Sequence, residues 1–128
     1  WTPAHVRAVA REFGLAPALA EQALAMARGV AQGEAAWAWD ARQLSDWASE
    51  IELLDDRGEL LRLDRLVRRA GTGEWWVLDH KSAAEPERQP ALIEQLRHYA
   101  RAVALAHPGA VVRTAFLTAE GRCVEVSP

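Results

Sequence analysis

Glu74-Trp75-Trp76-Val77-Leu78-Asp79-His80-Lys81-Ser82 is the stretch on which the reading of this chain turns. It follows a Gly71-Thr72-Gly73 turn signal, and its apolar, aromatic and β-branched run reads as a buried strand over 75–81. Side chains alternate across a strand, so Asp79 and Lys81 share a face, and Trp75 and Trp76 pack on opposite ones. A carboxylate beside an ammonium suits a divalent-metal site, in which the lysine positions a water or neutralises developing negative charge. A solvated ion pair would use the same two residues. The cation inventory favours the functional reading: of fifteen lysines and arginines, Lys81 is the only lysine. A compact ammonium approaches a reacting atom in a way that a guanidinium does not.

Working outward, Trp47 to Val67 reads as a β-hairpin. Ile51 and Leu53 alternate with Glu50 and Glu52, Asp55-Asp56-Arg57-Gly58 makes the turn, and Leu60 to Val67 returns. With 75–81 this gives a three-stranded antiparallel meander. Beyond it, Ser82 to Gln89 is a polar loop, and Pro90 opens a long helix to about Ala106. Leu92, Leu96, Tyr99, Val103 and Ala106 lie on one face, and His107-Pro108-Gly109 stops the helix. Val111 to Thr118 and Arg122 to Val126 are the last strands. Upstream, Val6, Val9, Ala10 and Phe13 mark one helix, and 17–28 a second, alanine-rich one. Gly33 to Asp46 is a short helix or an irregular connection. The expected class is α+β, a mixed central sheet of about five strands flanked by helices.

At 128 residues the chain suits one domain: a helical N-terminal part over 1–46 and a core over 47–128. The single Cys123 leaves no internal disulfide, cysteine zinc site or iron–sulfur cluster. No stretch has the apolar length of a membrane span and no signal peptide is visible, so a cytoplasmic setting is expected. A net charge of −3 argues against general nucleic-acid affinity, but Arg57, Arg62, Arg65, Arg68 and Arg69 form a local basic run. The chain opens at Trp1 without methionine and reads as a piece of a longer protein.

Asp64, in Leu61-Arg62-Leu63-Asp64-Arg65-Leu66-Val67, is an acid among apolar neighbours, costly to bury uncompensated. Pairing with the adjacent arginines is one explanation. Convergence with Asp79 on a shared magnesium ion is the other, with Glu50 adding a third acid at the same end. Gln95 and Tyr99, four apart on the helix, can reach over the strand ends. The His80 imidazole points to the opposite face, leaving its backbone carbonyl as the better ligand.

Taken in order, Glu50, Asp64, Asp79-His80-Lys81 and Gln95-x-x-x-Tyr99 resemble the PD-(D/E)xK nuclease superfamily. The pattern is more narrowly similar to the RecB-type nuclease domain at the C-terminus of UvrD-like, AddA-type helicase–nucleases. The resemblance covers about 47–126. It implies a restriction-endonuclease-like fold and a Mg2+- or Mn2+-dependent DNA exonuclease that processes ends during double-strand-break repair and recombination. Asp64, Asp79 and the His80 carbonyl would bind the metal. Lys81 would position water or stabilise charge, Glu50 would support the acidic site, and Gln95 and Tyr99 would align substrate. The basic run would meet DNA. The implied partners are the rest of an ATP-driven helicase chain and a second helicase–nuclease subunit. The sequence departs from the family in having Leu61 where a glycine is usual and His80 where a tyrosine is common. The histidine ligand usual in the family is expected upstream of Trp1, so these residues alone should bind metal weakly and cleave little. A non-catalytic DNA-binding or docking module on the same fold is the main alternative, and a hydrolase acting on another substrate a further one.

Overall fold

The computed structural model describes residues 33–127. The expected helices over 1–28 lie outside them. Five strands form one sheet: β1 (Leu44–Leu54), β2 (Leu60–Arg69), β3 (Trp75–Lys81), β4 (Val112–Thr118) and β5 (Cys123–Val126). They lie side by side in chain order. β1 to β3 are an antiparallel meander, β4 runs parallel to β3, and β5 is antiparallel to β4. A parallel neighbour needs a crossover. Helix α1 (Pro90–Ala106) supplies it, with Pro90 in its first turn and a stop at His107, whose N–H reaches the Val103 carbonyl at 3.0 Å. The molecule is α+β with a mixed five-stranded sheet.

Hydrophobic alternation builds a core on each face. On the α1 face Leu63, Leu66, Val77, Phe116 and Val126 pack with Leu96 and Val103 of the helix. On the other face Leu44, Val67, Trp76, Leu78, Ala115 and Leu117 pack beneath Ala35 and Ala38. Trp75 and Trp76 do divide between these faces.

The segment 33–46 departs from its expected form. It holds two 3-10 turns, Ala36–Trp39 and Ala41–Gln43, and β1 already begins at Leu44. The second turn is capped by the Asp40 carboxylate, which accepts from the Arg42 N–H at 3.0 Å. Trp47, taken as the strand's first residue, sits inside it and is 53% exposed. Among the described residues one α-helix flanks the sheet, and the 3-10 segment covers the opposite side.

The hairpin contains a feature that alternation alone does not foresee. Leu61 and Leu63 face α1, yet Arg65 and Val67 face the 33–43 segment. Strict alternation would put all four on one side. The switch falls at Asp64. Its register position on β1 is Glu50, between the pairs Ser49–Arg65 and Ile51–Leu63. Glu50 has φ 51, the only non-glycine positive φ among the described residues. A left-handed residue re-aims a strand without changing its register, and this one turns the sheet where the acids lie.

Candidate active site

Asp79 is fixed by β3 with 6% of its side chain exposed. Lys81, two residues on, shares its face as the spacing predicts, with Nζ 3.1 Å from Asp79 Oδ2. The contact is an ion pair without hydrogen-bond alignment, and it is the sole polar partner of that buried oxygen. Asp64 comes from the neighbouring β2. Its Oδ2 accepts the His80 backbone N–H at 2.9 Å, which ties the strand crossing to β3 just beyond their last ladder pair, Arg65–Leu78. The Asp64 and Asp79 carboxyl groups lie within hydrogen-bonding reach of each other. Burial, and then the Asp64 carboxyl beside it, push Asp79 up from 3.8 to about 7 against the opposing pull of Lys81. Two carboxyls this close share one proton near neutrality.

His80 points to the other face, where its ring lies 6.0 Å from that of Trp39. Burial holds it down at about 4, so the imidazole is neutral. Of the helix pair, Tyr99 packs on the α1-face core. Its hydroxyl is raised above 10.0 first by burial and then by the charges of Asp79 and Asp64, which places it within their field. Gln95 is exposed rather than on the packing face, one turn nearer the helix start.

No family model matches the chain, and no curated protein matches it. The site therefore stands on its geometry.

Two expectations are corrected. Glu50 does not join Asp64 and Asp79: its Oε1 pairs with Arg62 Nη2 at 3.2 Å, and both side chains are well exposed. Among the described residues no three His, Cys, Asp or Glu side chains gather as a metal cluster. The positive φ at Glu50 and the nearness of Arg62 account for this, because an uncompensated third carboxylate beside the other two would be repelled. The five arginines also fail to make one patch. Arg57 is in the hairpin turn and Arg69 ends β2, a strand length of about 30 Å apart. Arg65 is buried, its Nε and Nη2 donating to the Ala38 carbonyl at 3.1 and 2.9 Å and its Nη1 to Ser49 Oγ at 2.7 Å. Arg68 donates to the Gly73 carbonyl at 3.2 Å and lies over Trp75, whereas Arg69 lies over Trp37 on the other side.

The sequence reading missed two further constellations. Arg65 is one, because its inward aim depends on the face switch at Asp64. The other is Asp55, which accepts from the Arg57 and Glu59 N–H groups at 2.9 and 2.8 Å and meets His98 Nε2 of α1 at 3.1 Å. The turn signature at 55–58 was legible; its link to a histidine forty-three residues away was not.

The donor set fits a hard divalent ion. Two adjoining carboxyls, one of them obliged to keep a proton and holding a buried oxygen with no hydrogen-bond donor, form a place where a cation can replace that proton.

Proposed function

We propose that the chain is a Mg2+- or Mn2+-dependent DNA nuclease domain of the PD-(D/E)xK type, with a restriction-endonuclease-like fold. Its parent would be a RecB/AddA-type helicase–nuclease that processes DNA ends in double-strand-break repair. One observation supports this most directly: Asp64, Asp79 and Lys81 meet on the α1 face, with the acids in mutual reach and the ammonium 3.1 Å from the deeper one.

Asp64 and Asp79 would hold the ion, with the His80 carbonyl as a further oxygen ligand. A bound divalent ion supplies positive charge that polarises a phosphodiester. Asp79 forms the buried floor of the site, and Lys81, 23% exposed, its accessible rim. The ammonium can donate to a phosphoryl oxygen as negative charge builds there, or orient the attacking water. The His80 N–H fixes one oxygen of Asp64 so that its carboxylate stays aimed at the site. Tyr99 stays protonated at working pH, since its hydroxyl is pushed upward, and can only donate or accept a hydrogen bond.

The test is cleavage of end-labelled linear DNA in Mg2+ or Mn2+ by the wild-type protein and by Lys81→Ala. Removing one charge-stabilising donor costs about 10²–10³ in rate, so the variant should be nearly silent. Equal rates would end the nuclease reading at its centre. DNA bound but never cut by the wild type in either metal would instead establish the docking-module alternative.

A further inference from the structure

We infer that Arg62 is a latch that competes with the metal site for Glu50. The inference rests on the reading of Asp64 and Asp79 as cation ligands and goes beyond it.

Glu50 stands at the β1 register position opposite Asp64, between the pairs Ser49–Arg65 and Ile51–Leu63. Residues directly opposite in an antiparallel pair have Cβ atoms about 4.5–5.5 Å apart, and diagonal neighbours remain within reach of long side chains. From one backbone position Glu50 therefore has two destinations, the acidic pair across the ladder or the arginine on the diagonal. It takes the arginine, at 3.2 Å, through a contact whose partners are 42% and 63% exposed. The choice follows from charge. Asp64 and Asp79 already repel each other strongly enough to keep a proton on Asp79, so a third carboxylate has no place there without a cation. A divalent ion reverses the sign, and the same carboxylate becomes a favourable ligand.

The backbone is set for such a change. Glu50 holds φ 51, a conformation that costs a side-chain-bearing residue energy and persists only where its surroundings impose it. An exposed ion pair is a weak restraint, which makes Arg62 a latch rather than a lock. Arg62 is a positioning residue: it need touch neither metal nor substrate to set how many oxygens the site offers.

The experiment is calorimetric titration of MnCl2 into the wild type, Arg62→Ala, Glu50→Gln, the double variant, and Asp79→Asn as a control for the site. Releasing Glu50 should tighten Mn2+ binding about two- to fivefold, as an exposed pair permits. Glu50→Gln should bind more weakly than wild type, and adding Arg62→Ala to it should then change nothing. Arg62→Ala binding no tighter than wild type overturns the latch. So does an equal gain in the Glu50→Gln background, which would mark a general effect of removing a positive charge. Mn2+ binding abolished by Asp79→Asn but indifferent to Arg62 leaves the metal site standing and removes only the latch. No binding by any variant removes both.

Discussion

Asp79 is where burial and chemistry conflict. Its ordinary value of 3.8 is raised to about 7, so the folded state favours the protonated form. For a group raised on folding, its contribution to stability is intact below the ordinary value, falls as pH climbs towards the folded value, and is lost above it. Asp79→Asn keeps the shape without the charge. It should raise Tm clearly at pH 8 and hardly at all at pH 4, when melts are compared in a metal chelator. In saturating Mg2+ the order at pH 8 should invert, because the wild type gains a ligand that the amide does not supply. A Tm gain of equal size at both pH values would mean that the carboxyl is not the strained group.

At the scale of elements, the β1–β2 turn is fastened to α1 by one side chain. Asp55 has 3% of its side chain exposed. Burial opposes its charge, but the Glu59 and Arg57 N–H groups and His98 outweigh this and hold its carboxyl below 3.8. A lowered value stabilises the fold above the ordinary pKa, and that contribution is lost as pH falls through the folded one. Asp55→Asn should therefore lower Tm at pH 7 and converge on the wild type in acid, near pH 3. An unchanged gap at pH 3 would assign the loss to packing instead. The elements themselves were largely legible. Pro90 and His107-Pro108-Gly109 punctuate α1 so clearly that its limits, Pro90–Ala106, coincide with the expected ones. Asp79 and Lys81 met because a two-residue spacing is local. What stayed hidden was non-local. β1 starts at Leu44 because that side chain is covered by Ala35 and Ala38, and no periodicity announces it. The backbone reversal at Glu50 turned an expected third acid into the partner of Arg62, and nothing in Ser49-Glu50-Ile51 signals a positive φ.

Across the whole molecule, positive charge is mostly occupied internally. The net charge is −3, and Arg65 binds the 33–43 segment to the sheet through a buried guanidinium. Arg65→Ala should thus cost on the order of 2–4 kcal/mol in unfolding free energy, as breaking a buried charged network does, whereas Arg57→Ala at the exposed turn should be near neutral. If the two variants melted alike, Arg65 would not be the tie that its contacts describe. The same distribution shapes DNA affinity. With arginines 62, 65, 68 and 69 engaged with Glu50, Ala38, Gly73 and Trp37, few cations remain to displace counterions from a phosphate backbone. The missing charge would have to come from the divalent ion at Asp64 and Asp79, which cancels the local acidity that repels DNA. Binding of a fluorescent duplex by Lys81→Ala, which separates binding from cutting, should be weak in chelator and stronger in Mg2+. The logarithmic salt slope should stay shallow, on the order of −2, as for about two phosphate contacts. Tight binding in chelator with a steep slope would instead indicate a basic surface that works without the metal, and would move the DNA-contact assignment away from this end of the sheet.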